Sequence, residues 1–170
     1  MYKIIGAKGF IKNIDDFLEK TRGFSEKNKV VLQVFDAELI YGEKHLVSAL
    51  THAKRAFEEK RNTTNTLEME ILLYAAGERQ LKLAIPKIGF KKGEVTTVAL
   101  FYIEEKKINL DTIVEKFLKE FGLKKDNKVL EGDINTLKKF GIKDSEIKTV
   151  SEDIYSDLIL EKVAMVDIIK

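Results

Sequence analysis

The run Leu67-Glu-Met-Glu-Ile-Leu-Leu-Tyr-Ala-Ala76 constrains the fold more than any other stretch of this chain. Ile71, Leu72, Leu73, Tyr74, Ala75 and Ala76 follow one another without a polar break, so they cover every side of the helix they form. A helix that is apolar all round is stable only inside protein, so the remaining elements must wrap around this one. Gly77 follows directly and suits the left-handed residue that ends a helix. Asn65 is the expected cap at the other end, with Glu68 three residues on as a capping-box-like partner.

The elements expected around it are of both kinds. Tyr2 to Gly6, Val30 to Phe35 and Glu94 to Ile103 are dense in β-branched and aromatic residues and read as strands. Ile14, Phe17 and Leu18 mark a helix with Gly23 as its stop. Glu43 to Arg61 is amphipathic, with Leu46, Leu50, Ala53 and Phe57 on one stripe. Glu78 is expected to open a short helix that Pro86 bends or shortens before Gly89. Leu110 to Phe121 and Ile134 to Phe140 are helices stopped by Gly122 and Gly141, and Ser151 to Ile169 is helical for most of its length. The sum is one α/β (α+β) domain over residues 1–170. Its expected centre is a mainly antiparallel or mixed sheet surrounded by helices, with the strand order open.

Composition removes several classes of function. With 30 Lys and Arg against 28 Asp and Glu, the net charge is +2, so any nucleic-acid site must be a local patch. There is no cysteine and there are only two histidines, which argues against disulfide scaffolds, thiolate chemistry and multi-His metal cages. No cofactor is expected. No apolar run approaches the ~20 residues of a membrane span, and no signal peptide is evident, so the expectation is a soluble, cytoplasmic protein without a membrane partner. Charged residues make up 34% of the chain with a single proline, a pattern frequent in proteins from hot environments.

The residues that invite a catalytic reading are His45, Ser48 and His52 on one side of the Glu43–Arg61 helix. A straight helix holds the two imidazoles about 10 Å apart, and nucleophiles of this type sit on sharp turns rather than mid-helix. Neither G-x-x-x-x-G-K-[ST] nor G-x-G-x-x-G occurs. The chain is therefore read as not an enzyme, with no small-molecule substrate.

Charge is unevenly distributed. From Arg79 to Lys92 the charged residues are Arg79, Lys82, Lys87, Lys91 and Lys92, with no acid among them. Lys54, Arg55, Lys60 and Arg61 lie near the end of the preceding long helix. A solvated lysine-rich face is the plain alternative. If Glu78-Arg79-Gln80 starts a helix, its free amides favour an anion, and Arg79 adds a planar fork suited to phosphate. Asn62 and Asn65 offer amide groups to a base edge, and a short single-stranded RNA end fits such a place. Separately, Leu158, Ile159, Leu160, Val163, Ala164, Met165, Val166, Ile168 and Ile169 leave little polar face on the last helix. Part of that surface completes the core, and the remainder is a candidate partner groove.

The run Asn65-Thr-Leu-Glu-Met-Glu-Ile-Leu-Leu-Tyr-Ala-Ala-Gly-Glu-Arg-Gln80, followed by Ala84, Ile85, Ile88 and Gly89, resembles a family signature. That signature is a Ser- or Asn-led S/N-x-x-E, then L-L-Y-x-x-G-x-R-Q-I-x-x-A-I and a glycine. Leu81 replaces its frequent isoleucine. His45, Leu46, Ala49, Ala53 and Phe57 are similar to the family's long helix. The family is that of the small regulatory subunit of the KEOPS complex, the PRPK-binding protein (TPRKB) family, here in an archaeal form. The specific part of the match covers residues 45 to 90.

The resemblance implies a noncatalytic subunit that binds and stimulates the complex's kinase-like ATPase subunit. It also implies recruitment of tRNA by its 3′ CCA end, for threonylcarbamoyl modification of the adenosine beside the anticodon. The threonylcarbamoyl transferase subunit is then an indirect partner. On this reading the tRNA end docks near Asn62, Asn65, Arg79, Gln80 and Lys82, with Lys54, Arg61 and Lys87 steering phosphates. The kinase-like subunit takes the C-terminal apolar surface of Leu158, Ile159, Val163, Met165, Val166 and Ile169. Two alternatives stay open: a protein-only kinase-binding adaptor without RNA contact, and a purely structural role for Glu78-Arg79-Gln80 in fixing the turn between two helices.

Overall fold

The computed structural model describes residues Met1–Lys170. Four strands form one antiparallel sheet: β1 (Tyr2–Ile11), β2 (Val31–Asp36), β3 (Gly93–Tyr102) and the two-residue β4 (Lys124–Lys125), in the order β2-β3-β1-β4. The run Val98-Ala-Leu-Phe-Tyr102 of β3 is apolar without alternation because it lies in the middle of the sheet and is covered on both faces. Val98, Leu100 and Tyr102 point into one core, whereas Ala99 and Phe101 point into the other.

Helices cover both faces. On one side lie α1 (Ile14–Asn28) and α5 (Leu110–Phe121), which bury Phe17, Phe24 and Phe117 against the sheet. The other side holds α2 (Gly42–Glu58), α3 (Leu67–Ala76), α4 (Leu81–Ile88), α6 (Ile134–Phe140), the single turn α7 (Asp144–Ile147) and α8 (Tyr155–Ile169). Within α3 every residue from Glu70 to Ala76 is buried, as an all-round apolar helix requires. It is enclosed by α2, α4, α8 and β2. Gly77 ends it at φ +67° with its amide bonded back into the last turn. The closest neighbour that a side chain at Gly77 would meet is Lys162 of α8, at 3.3 Å.

Several local expectations need correction. α1 does not stop at Gly23; it runs on to Asn28, because Phe17, Thr21 and Phe24 continue one buried stripe. That burial outweighs the cost of about 1 kcal/mol for a helical glycine. α2 ends at Glu58 rather than Arg61, since Lys60 turns left-handed at φ +56° and the Arg61 amide bonds back to Ala56. The cap of α3 is Thr66, whose hydroxyl accepts from the Met69 amide, so Glu68 falls one position short of a capping box. Finally, Glu78, Arg79 and Gln80 are not helical. α4 begins at Leu81, after an extended Gln80, and ends at Ile88. β2, β3, α5 and α6 form within one residue of where the sequence places them, whereas β1 does not stop at Gly6 but runs on to Ile11, because it pairs with β3 along its whole length.

Candidate functional site

α2 and α3 form a hairpin, and α8 lies along both, so three surfaces follow from this one packing unit. They are the loop 59–66 before α3, the turn 78–80 after it, and the outward side of α8. The RNA-binding expectation placed residues from the first two in one site. α3 separates them by its own length, about 15 Å for ten residues at 1.5 Å each.

At the turn, Arg79 and Lys82 are exposed and form no ion pair. Gln80 caps α4 with its backbone only. The amides of Leu81 and Lys82 have no protein acceptor, while those of Leu83 and Ala84 bond to the Gln80 carbonyl. The anion-favouring end that the sequence suggests therefore exists, three residues later than expected. Exposed Leu83 and Ile85 stand beside it on α4. Lys87 does not join this group. Its ammonium lies 3.5 Å from Glu78 and 4.0 Å above the Phe140 ring, and burial pulls its pKa down. A half-buried, paired lysine is a poor steering charge for phosphate.

At the loop, Asn65 is exposed, whereas Asn62 spends its amide on the Thr64 carbonyl at 2.9 Å. Arg61 is committed to Glu59 and reaches Asp167 at 3.5 Å. Lys54 sits 4.8 Å above the Tyr102 ring. Of the eight residues expected at RNA, Asn65, Arg79 and Lys82 are thus free and exposed, Gln80 is half-buried, and Lys54, Arg61, Asn62 and Lys87 hold protein partners.

The C-terminal surface is corrected more strongly. Leu158, Ile159, Val163 and Val166 are buried against the α2–α3 side of the core and cannot cover a partner. The reason is periodicity: residues 159, 163 and 166 make one inward stripe. The opposite side carries Ala164, Met165, Ile168 and Ile169, all exposed, with Ile168 at 80%. Met165 and Ile169 of the expected set therefore reach solvent, joined by Ala164 and Ile168. Asp157 and Glu161 precede this stripe on the same exposed side.

A polar network that the sequence reading missed connects α8 to α2 and α3. Glu70 is fully buried, and its carboxylate accepts from the Thr63 amide at 3.2 Å, the Thr64 amide at 2.9 Å and the Thr64 hydroxyl at 2.7 Å. It is also paired with the Lys170 ammonium, which donates further to the Tyr74 hydroxyl at 3.1 Å and the Arg61 carbonyl at 3.3 Å. Asp167, one turn earlier, accepts from the Tyr74 hydroxyl at 2.5 Å and from Arg55 at 2.8 Å, and lies 2.7 Å from His52 Nδ1. Burial alone would raise the Asp167 pKa, yet the bonds from Tyr74, His52 and Arg55 outweigh it and hold the carboxyl at about 2. Tyr74 is pushed up, by burial first and by its bond to Asp167 second. The available signal was Glu70 itself, since an acid in an otherwise apolar helix demands a partner.

Both histidines hold protein partners: His52 faces Asp167, and His45 uses both ring nitrogens. His45 is buried, and its Nδ1 accepts from the Tyr41 amide at 3.1 Å. The proton therefore sits on Nε2, which donates to the Ala75 carbonyl at 2.7 Å. Burial lowers its pKa to about 4; the Ala75 bond opposes that shift, and the charge of Lys87 adds to it. An imidazole held neutral in the folded state destabilises the protein as pH falls. From about pH 6.5 down to about 4 the unfolded chain takes up a proton that the folded one refuses, and above 6.5 the contribution is constant. The expected loss across that window is about 3 kcal/mol. Urea denaturation at pH 7, 5.5 and 4.5 should show this decline, and His45→Gln should flatten it.

No three His, Cys, Asp or Glu side chains gather in a metal-binding arrangement, and no helix is long and apolar enough to cross a membrane. A family model described as kinase binding protein CGI-121 matches residues 11–167. The regulatory protein Cgi121 of Methanocaldococcus jannaschii is 35% identical over 66 residues, which are 39% of this chain and 43% of that protein. The KEOPS complex subunit Cgi121 of Pyrococcus abyssi is 47% identical over 49 residues, 29% of each chain. The aligned stretches span less than half of either relative. With the family model matching from the last residue of β1 almost to the end of α8, the chain belongs to the kinase binding protein CGI-121 family.

Proposed function

We propose that this protein is a noncatalytic regulatory subunit of a KEOPS complex, acting in the cytoplasm as one domain over residues 1–170. It binds and stimulates the kinase-like ATPase subunit, and it recruits tRNA by its 3′ CCA end for threonylcarbamoyl-adenosine formation beside the anticodon. The observation that carries the reading is the family match over residues 11–167, which brings the description of a kinase binding protein to a chain with one unpartnered apolar helix face. The M. jannaschii relative's name supplies "regulatory", and the P. abyssi relative's name supplies the complex. The kinase-binding surface is the outward stripe Ala164, Met165, Ile168 and Ile169. Four residues spaced i, i+1, i+4 and i+5 make a continuous ridge of the kind that fits an apolar groove.

For RNA, the support is the unpaired Arg79 and Lys82 beside the free amides of Leu81 and Lys82. Guanidinium, ammonium and oriented amides together suit a phosphodiester end. Exposed Asn65 lies one α3 length away, a separate contact for the same strand. The test is a titration of the chain with tRNA, intact and lacking its 3′ CCA, at two salt concentrations. Binding is expected to need the CCA and to weaken as salt rises. Arg79→Ala with Lys82→Ala should reduce the slope of log affinity against log salt by about 1.4, from ~0.7 per single-strand phosphate contact. Equal binding of both RNAs would reduce the turn to a generic basic patch. Binding of neither would favour the protein-only adaptor.

A further inference from the structure

The inward stripe of α8 changes character along its length. Ile159, Val163 and Val166 are apolar and buried, and the same side then carries Asp167 and Lys170. Lys170 keeps only 6% of its side chain exposed and inserts between Glu70, Tyr74 and the Arg61 carbonyl. Glu70 in turn holds the amides of Thr63 and Thr64. Asp167 meanwhile fixes Arg55 and His52 of α2, the helix from which the loop departs. The last turn of α8 is therefore one wall of the loop 59–66, while its outward side is the apolar stripe.

We infer that α8 is a latch that couples the two surfaces. An apolar protein partner on the outward stripe and an RNA strand at the loop each favour the same docked state, so each tightens the other. This rests on the reading of those surfaces given above, and it adds their regulation. Ile168 and Ile169 line up with Ala164 and Met165 only while the last turn is helical, so a partner seated on them binds the docked state better. The loop holds its shape only while Glu70 is both paired with Lys170 and bonded to Thr63 and Thr64. A ligand gripping exposed Asn65 therefore also prefers that state. Two ligands that favour one state bind cooperatively, and the effect is reciprocal. Lys170, Glu70 and Asp167 act as positioning residues and touch neither ligand.

The test reads backbone amide exchange at Thr63 and Thr64, with β3 amides as the reference for global stability. In the free protein, Lys170→Met should speed exchange at Thr63 and Thr64 about tenfold relative to β3, and Lys170→Arg should not. Saturation of the unmodified chain with the kinase-like subunit should slow the same two amides at least fivefold, an effect absent in Lys170→Met. Affinity for a tRNA 3′-end oligonucleotide should then rise about fivefold or more when the kinase-like subunit is present, and stay unchanged in Lys170→Met. If the subunit binds and Thr63 and Thr64 exchange as before, the latch is overturned. If their exchange slows but the oligonucleotide never binds, the latch stands and the RNA reading falls. If the subunit does not bind at all, the kinase reading falls, and the coupling falls with it.

Discussion

Replacing Glu70 with Leu is expected to lower stability by about 3–5 kcal/mol, the cost of leaving one partner of a buried ion pair without the other. The variant removes the acceptor of the Thr63 and Thr64 amides and the counter-charge of the Lys170 ammonium, while the Thr64 hydroxyl keeps the Thr66 carbonyl and Lys170 the Arg61 carbonyl. Leucine matches the apolar surroundings of α3 and fills a similar volume, so the loss reports the polar network rather than a cavity. The double variant Glu70→Leu with Lys170→Met should recover part of the loss, because no uncompensated ammonium remains. The stranded loop donors should still cost about 1–3 kcal/mol. Urea denaturation of the three proteins separates these contributions. A single variant within about 1 kcal/mol of the unmodified protein would mean that water reaches Glu70 and that the network is incidental.

Ile168→Asp is expected to have the opposite profile. At 80% exposure its side chain contributes little to folding, so stability should change by no more than about 0.5 kcal/mol. Its place at the centre of the outward stripe should make it a hot spot, costing about 2–4 kcal/mol of affinity for the kinase-like subunit, or roughly 30- to 1000-fold. The contrast with Val163→Asp is instructive. That residue is buried, so a charge there would also abolish binding, but by unfolding the helix. Only the outward stripe can lose the partner while keeping the fold. Affinity and denaturation midpoint, measured on the same Ile168→Asp sample, read both halves of the expectation.

What the sequence disclosed depended on whether the deciding partner was local. α3 was readable because six consecutive apolar residues and Gly77 admit one interpretation, and α5 and α6 because Gly122 and Gly141 end them. α1 was read as too short because Gly23 is a local stop signal, whereas the stripe through Phe24 is satisfied by packing against Phe117 and Phe121. In α8 ten of the fifteen residues are apolar and they reach round both sides, so periodicity alone could not say which side faces in. Contact with α2 and α3 decided it. The charged residues were the hardest to read. Arg79 and Lys87 look alike in the chain, yet one is free and the other lies against Glu78 and Phe140. Glu70 announced that it needed a cation, but nothing local identifies Lys170, one hundred residues away.

The most direct measurement of the central claim is a calorimetric titration of the unmodified chain with the kinase-like ATPase subunit from the same source. The account predicts a saturable one-to-one complex with a negative heat-capacity change, the mark of apolar surface leaving water. The family match and the outward stripe of α8 both lead there. Absence of binding, or a complex whose affinity Ile168→Asp leaves unaltered, would contradict the assignment of that stripe and the function built upon it.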